Sequence, residues 1–165
     1  RCLHRRKGVG FGRGGVVAMA ELEKVTGRCL CGAVAFTAKN VEPHFDDCQC
    51  SMCRRWSGGV MMAVEAKGAV AFSGEENIGL IRASDWGERG FCKICGTNLF
   101  WRMQDGSYVG VAYGALDNAG DFEFTTEIFI DHKPDAYAFE GDRKQMTEAD
   151  VLAAFAAPPA EGYVQ

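Results

Sequence analysis

Two short cysteine stretches decide the fold of this chain: CLCG at residues 29–32 and CKICG at residues 92–96. The cysteines within each stretch are so close that both sulfurs can point to one centre about 2.3 Å away. The same spacing would strain a disulfide between them. The glycine after each pair allows a positive φ, which turns backbone N–H groups toward the thiolates. We therefore predict a closed structural zinc site that joins two distant segments. Its ligands are Cys29, Cys31, Cys92 and Cys95.

A third stretch, CQCSMC at residues 48–53, supplies three further cysteines. Cys48, Cys50 and Cys53 lie on one short segment and offer only three thiolates. A tetrahedral zinc ion held by three protein ligands keeps one open position, which is typical of catalytic zinc. The sequence therefore predicts two zinc ions per chain, of which the second can accept water, substrate or a small thiol.

Two other interpretations of the seven cysteines remain open. All seven can be structural if His44, Asp46 or Asp47 closes the second site. Thiolates also bind iron–sulfur clusters, although neither usual ferredoxin spacing is present. The eighth cysteine, Cys2, lies in a glycine-rich and basic segment away from the others, and we assign it no role.

The bulk properties restrict the class of protein. The chain has 165 residues, of which 47% are hydrophobic, enough for one ordinary domain with a core. The formal net charge of -4 argues against a nucleic-acid binder. No apolar run is long enough to span a membrane. We expect a cytoplasmic protein with a disordered leader or non-native extension at residues 1–20, a zinc domain at 24–140, and a C-terminal helix and tail at 141–165.

The pattern after residue 24 is typical of a mainly β protein with one C-terminal helix. Residues 147–150, TEAD, resemble a capping box, and Val151, Leu152 and Phe155 follow at helical spacing. The pair Asp105-Gly106 predicts a hairpin. Predicted strands cover residues 33–37, 60–64, 69–72, 78–82, 97–102, 108–113 and 123–130, the last of these being the final strand.

Three stretches together resemble the glutathione-dependent formaldehyde-activating enzyme family, which also includes centromere protein V. They are GRCLCGAV at residues 27–34, CQCSMCRRWSG at 48–58 and GFCKICGT at 90–97. Weaker matches follow at residues 113–117 and 128–134. The sequence departs from the family at Gln49, where many members carry histidine between the two cysteines.

This resemblance implies a fold, a metal content and a reaction. The fold is of the Mss4-like type, with twisted antiparallel sheets around the zinc sites. The second zinc, at Cys48, Cys50 and Cys53, is implied to work with glutathione on an aldehyde such as formaldehyde. The implied activity is that of a carbon–sulfur lyase, formally S-hydroxymethylglutathione synthesis in reverse.

Residues outside the cysteines are weaker candidates for the site. Arg54 and Arg55 can bind a glutathione carboxylate, and Trp56 and Trp86 can wall the pocket. Asp85 or Glu88 can serve as a general base, and residues 57–59, SGG, can offer backbone N–H groups. We give His132, at a predicted strand end, no catalytic role. The alternatives to this enzyme are a lyase for another thiol adduct and a non-enzymatic zinc module for protein or chromatin partners.

Overall fold

The computed structural model describes residues 21–156, which form two β-sheets and two short helices. The helices are α1 (Ser51–Ser57) and α2 (Glu148–Ala156). The strands are β1 (Leu22–Arg28), β2 (Ala35–Val41), β3 (His44–Cys48), β4 (Met61–Glu65), β5 (Val70–Ser73), β6 (Ile78–Arg82), β7 (Gly87–Cys92), β8 (Asn98–Met103), β9 (Val109–Ala112), β10 (Glu123–Ile128) and β11 (Lys144–Met146). The predicted mainly β fold with a short C-terminal helix is confirmed. The predicted leader at residues 1–20 lies outside the described residues.

The two sheets differ in size and in strand direction. The smaller has the order β1-β2-β5, and the larger has the order β11-β10-β3-β4-β9-β8-β7-β6. Most pairings are antiparallel, but β10 pairs in parallel with both β3 and β11. The larger sheet is therefore mixed, which the sequence did not indicate. Neither helix of the described chain is long and apolar enough to cross a membrane.

The main core lies where the two sheets meet. Phe36 and Val41 of β2 pack in one buried cluster with Val64 of β4 and Val111 of β9. The β1 strand approaches this cluster at Gly27, where a Cβ atom would lie 2.3 Å from the Phe36 ring. A side chain at this position would therefore push β1 away from β2.

Three features of the fold depart from the predicted elements. The strands β1, β3 and β7 were not predicted, and β3 and β7 both carry buried charged residues that strands usually exclude. The predicted final strand at 123–130 is wrong at its end: β10 stops at Ile128, and a 3-10 turn covers Ile130–His132. A later strand, β11, adds to the sheet edge beside β10.

The predicted helix start and hairpin are both present. Asp150 Oδ2 accepts hydrogen bonds from the Thr147 backbone N–H at 2.9 Å and from the Thr147 hydroxyl at 2.7 Å, as in a capping box. The hairpin joins β8 to β9, with Gly106 at φ +78. Of the helix residues expected to face the core, only Val151 is buried, whereas Leu152 and Phe155 are about half exposed.

Glu88 forms an ion cluster that accounts for one buried charge in β7. Its carboxylate accepts from Arg102 Nη2 at 2.5 Å and from Arg82 Nε at 3.1 Å, and its own side chain is only 5% exposed. The hydrogen bond from Arg102, aided by Arg82 and opposed by burial, lowers the pKa of Glu88. The carboxylate therefore stays charged at neutral pH and remains paired with the two arginines.

Replacing Glu88 by glutamine should destabilise the protein in a pH-dependent way. At pH 7 we expect a loss of about 2 kcal/mol in the free energy of unfolding, because two arginines lose their acceptor. The carboxylate contributes fully above its ordinary pKa of 4.5 and progressively less as the pH falls through its lowered folded value. Urea unfolding of wild type and Glu88→Gln from pH 7 to pH 4 should show the difference shrinking, while the exposed control Glu75→Gln changes little. A difference that stays constant would contradict this assignment.

Candidate metal centres and cavity

The first cysteine group joins two turns that are far apart in sequence. Cys29 and Cys31 follow β1, whereas Cys92 ends β7 and Cys95 lies in the turn before β8. Their four Sγ atoms all lie within 4.8 Å of one another. Cys29 and Cys92 are buried beside Val34, Leu99 and Phe100, and Cys31 is exposed. The group therefore lies at the edge of a second small core.

The sulfur positions fit a tetrahedral zinc ion. Four sulfurs about 2.3 Å from a zinc ion are about 3.8 Å apart. The distances from Cys31 Sγ are 3.5 Å to Cys29 Sγ and 3.9 Å to Cys92 Sγ. The predicted positive φ angles are present at Gly32 (+78) and Gly96 (+75). Four thiol donors at this spacing can hold zinc or a similarly thiophilic metal.

Hydrogen bonds to two of these sulfurs, those of Cys29 and Cys95, favour the thiolate forms. The Val34 backbone N–H donates to Cys29 Sγ at 3.2 Å. The Thr97 hydroxyl lies 3.2 Å from Cys95 Sγ, and with the Thr97 backbone N–H it lowers the pKa of Cys95 to about 5. Thr97 also accepts from the Leu30 backbone N–H at 3.0 Å, which ties the two turns together beside the sulfurs.

The second cysteine group is built by the end of β3 and the start of α1. Cys48 is the last residue of β3, and Cys50 is the N-cap of α1, where its sulfur accepts from the Cys53 backbone N–H at 3.4 Å. The cap and the first turn of a helix bring Cys50 and Cys53 onto one side. The three Sγ atoms lie within 4.8 Å of one another.

The electrostatics of this group call for a cation. Hydrogen bonds from Cys48 and Cys53 lower the pKa of Cys50, so the first thiolate forms there. The same interactions, together with burial, raise the pKa of Cys48 far above its ordinary value. Three thiolates cannot coexist in this space without positive charge, and a metal ion supplies it. The three donors therefore fit a zinc ion with one position left open.

No protein side chain closes the second group within residues 21–156. The ligand atoms of His, Asp and Glu there do not join the three sulfurs within 4.8 Å. His44 Nδ1 lies 3.3 Å from Glu42, and Asp46 Oδ1 accepts from the Thr125 hydroxyl at 3.1 Å. Asp47 Oδ2 accepts from Gln49 Nε2 at 2.6 Å. The closed-site interpretation therefore lacks a fourth ligand among the residues considered for it.

The three sulfurs lie on the wall of a cavity of about 240 Å³. Much of the remaining lining comes from distant parts of the chain, namely the loop before β7, the strands β8 and β10, and helix α2. The lining as a whole includes the charged residues Asp46, Asp47, Arg89 and Glu148, together with His132. It also includes the large side chains Trp86, Trp101, Tyr108, Phe129, Leu152 and Phe155.

Arg89 is the residue that sequence reasoning missed and that lies closest to the sulfurs. Its side chain is buried in β7, and Nη2 donates to Cys53 Sγ at 3.7 Å. No carboxylate pairs with it within the described chain, and its Nε and Nη1 atoms have no hydrogen-bond partner there. A buried guanidinium needs a negative charge nearby. Three thiolates around a divalent ion would carry a net charge of -1, which would satisfy this need.

The predicted contact residues Arg54, Arg55 and Trp56 do not line the cavity. Arg54 donates to the backbone carbonyls of Gln49 at 2.8 Å and His132 at 3.2 Å, and Arg55 is exposed on α1. The Trp56 ring packs 5.8 Å from the Arg89 guanidinium. The contact of these three residues with a bound thiol stays a prediction. In the structure, Arg54 and Trp56 pack beside the three-cysteine group and support it.

Gln49 points into a buried network instead of the cavity. It is fully buried, donates to Asp47 and accepts from the Tyr137 hydroxyl at 2.5 Å. Burial, with the nearby Glu127 charge, raises the pKa of Asp47 to about 7. Gln49 therefore anchors the segment that carries Cys48, Cys50 and Cys53 to the protein interior.

His132 lies on the cavity wall, although we had given it no catalytic role. Its Nε2 atom lies 3.1 Å from Glu148 Oε2, at the start of α2, and Asp131 accepts from the Glu148 backbone N–H at 3.0 Å. The sequence carried no signal for this pairing, because the fold alone brings the two residues together. Of the predicted general bases, Glu88 is held by two arginines, and Asp85 lines a separate surface depression with Arg82 and Gln104.

Comparison with known proteins places these features in context. The sequence model of a family described as glutathione-dependent formaldehyde-activating enzyme matches residues 24–132. A Schizosaccharomyces pombe protein named as an uncharacterized lyase is 32% identical over 130 residues, which covers 76% of this chain and 93% of the relative. A crystal structure of a Rhodobacter sphaeroides protein is similar with a TM-score of 0.50 and 25% identity, covering 61% of this chain and 99% of that one.

Proposed function

Since this chain belongs to the glutathione-dependent formaldehyde-activating enzyme family, we propose that it is a zinc-dependent carbon–sulfur lyase. Its substrate is the adduct of a thiol, glutathione foremost, with an aldehyde such as formaldehyde. The observation that carries this proposal is the group of Cys48, Cys50 and Cys53, which opens onto a cavity and lacks a fourth protein ligand within residues 21–156. The other zinc ion, at Cys29, Cys31, Cys92 and Cys95, holds the fold.

The role of each residue in the proposed reaction follows from the groups that it can offer to the metal or to the substrate. A zinc ion bound by the three cysteines would lower the pKa of an incoming thiol and hold its sulfur as thiolate. Arg89 donates a hydrogen bond to Cys53 Sγ, which favours the thiolate and fixes its orientation. The cavity walls exclude bulk water from the reacting sulfur. These residues bind and orient, and a separate group must move the proton.

His132 is the proton carrier in this proposal. When the adduct breaks, the carbon–sulfur bond cleaves, sulfur keeps the electron pair, the hydroxyl proton leaves and the carbonyl forms. With Nε2–H donating to Glu148, the Nδ1 atom of the imidazole carries no proton and can accept one. The same atom returns the proton in the direction of synthesis.

The substitution His132→Gln should lower kcat about 100-fold for adduct breakdown, the contribution usual for a positioned acid–base group. Glutamine can still donate to Glu148, so zinc content and the melting temperature should stay close to wild type. The measurement is aldehyde release from a preformed adduct, together with zinc analysis of the same samples. Unchanged turnover in a zinc-replete variant would assign proton transfer to another group.

Binding of a free thiol tests the open zinc position directly. Glutathione should raise the melting temperature of the zinc-loaded protein, whereas S-methylglutathione, which cannot form a thiolate, should raise it much less. Two zinc ions per chain and adduct breakdown faster than the uncatalysed rate complete the test. Two bound zinc ions with no thiol effect and no turnover would favour the alternative, a non-enzymatic module for a protein or chromatin partner.

The proposed chemistry suits a reducing compartment such as the cytoplasm. Seven cysteines of the described chain are free, and as zinc ligands they must remain thiolates. Glutathione is the abundant thiol of such compartments, which supports it as the partner over other small thiols.

A further inference from the structure

Four aromatic rings form a continuous row along the cavity. Trp86 contacts Trp101 with ring centroids 5.6 Å apart, and Trp101 contacts Tyr108 at 5.5 Å. Tyr108 in turn contacts Phe155 of α2 at 6.2 Å. This aromatic row joins the loop before β7, the strand β8, the residue before β9 and the helix α2 along the cavity wall. Such a row offers a large, flat and mainly apolar surface, with an N–H or O–H group only at the edges of its rings.

The outer part of this wall is exposed to solvent. Trp86 is 48% exposed and Phe155 is 52% exposed, and Leu152 beside them is 55% exposed. Contiguous apolar exposure of this kind marks a binding surface more often than scattered exposed residues do. Within the described chain these three side chains share one cavity with the cysteine group.

Formaldehyde does not account for such a wall. A water molecule occupies about 30 Å³ of liquid, and formaldehyde has only one more heavy atom, so it fills a small part of a 240 Å³ cavity. Glutathione does not account for the apolar part of the wall either, because its two carboxylates need cationic partners. The cavity wall has one arginine, Arg89, and that side chain is already buried against Cys53.

We propose that the aldehyde part of the substrate carries an aromatic or branched apolar substituent. This inference rests on the proposed function and names its substrate class: an S-(1-hydroxyalkyl) adduct whose substituent packs against Trp86, Trp101 and Phe155. The thiol sulfur reaches Cys48, Cys50 and Cys53, and the polar remainder of the thiol lies at the mouth. In the reaction the carbon–sulfur bond breaks, sulfur keeps the electron pair, the hydroxyl proton leaves, and the substituent stays on the released aldehyde unchanged.

The test compares two glutathione adducts, that of formaldehyde and that of phenylacetaldehyde, by the rate of aldehyde release above the uncatalysed rate. Wild type should favour the phenylacetaldehyde adduct in kcat/KM by about tenfold or more, as expected for burying one aromatic group. Trp86→Ala and Phe155→Ala should each lower this ratio several-fold. Leu80→Ala removes a side chain that is 50% exposed on β6 outside the cavity, and it should leave the ratio unchanged.

A binding measurement separates this inference from the proposed function. By calorimetry, S-benzylglutathione should bind the zinc-loaded protein about tenfold more tightly than S-methylglutathione, and Trp86→Ala should remove most of that difference. Turnover of the formaldehyde adduct with equal binding of the two thioethers would overturn the inference and leave the lyase intact. Preferential binding of the benzyl compound without turnover of either adduct would support the apolar site and overturn the lyase. An adduct preference that is the same in wild type and in both wall variants would overturn the inference, because these side chains would then not contact the substituent.

Discussion

Cys92→Ser should prevent the chain from folding into a stable structure. Cys92 is completely buried, and its sulfur belongs to the four-cysteine group beside Val34, Leu99 and Phe100. Structural zinc in small modules contributes roughly 10–16 kcal/mol of apparent binding free energy, which matches or exceeds the 5–15 kcal/mol net stability of a typical domain. Three remaining thiolates hold zinc far more weakly, and the serine hydroxyl stays buried among apolar side chains.

The expected result is loss of the cooperative thermal transition by circular dichroism, with most of the protein insoluble on expression. Zinc content in the soluble fraction should fall from two ions per chain to one or fewer. The matched control is Cys2→Ser, which removes the cysteine to which we assign no role and should melt like wild type. A Cys92→Ser protein that keeps two zinc ions and the wild-type melting temperature would show that this group does not hold the fold.

The cysteine groups could be predicted because the information is local. Sulfurs one or two residues apart reach a common centre whatever the surrounding fold, and Gly32 and Gly96 mark the turns that allow it. The cysteine spacing could not predict which other parts of the chain pack beside each cysteine group. The strand β7, which positions Cys92 and Arg89, contains two glycines and two buried charges, and its propensity opposes a strand. Its pairing with β6 and β8 and the ion cluster at Glu88 override that propensity.

The residues of the cavity wall could not be predicted from the sequence for a related reason. Leu152 and Phe155 repeat at the spacing of a core-facing helix stripe, and periodicity cannot distinguish a core from a cavity. Only the packing of α2 beside His132 shows that Phe155 meets Tyr108 in the cavity wall. Arg89 gave no signal either, since a single arginine between glutamate and glycine is usually a surface residue. The role of a residue that acts through partners distant in sequence can be recognised only in the folded chain.

The second large effect is expected for Cys50→Ser, which should abolish activity and leave the fold intact. Cys50 is the N-cap of α1, and its sulfur accepts from the Cys53 backbone N–H. Serine is among the best N-cap residues, so its hydroxyl can replace the sulfur in this structural role. It cannot replace the thiolate, which Cys48 and Cys53 favour at this position by lowering its pKa. Zinc content should therefore fall from two to one, and adduct breakdown should drop at least about 100-fold.

Comparison of Cys50→Ser with Cys50→Ala separates the two roles of this residue. Both variants should be inactive and bind one zinc ion, because both lack the thiolate. Only the alanine variant also loses the helix cap, which costs about 1 kcal/mol and should lower its melting temperature below that of the serine variant. If Cys50→Ser instead unfolded like Cys92→Ser, the three-cysteine group would be structural. If it kept two zinc ions and full turnover, the reaction would not depend on an open site at Cys48, Cys50 and Cys53. A Cys50→Ser protein that folds but is inactive would show that the three-cysteine group serves catalysis. The reason is that serine preserves every role of Cys50 except metal binding.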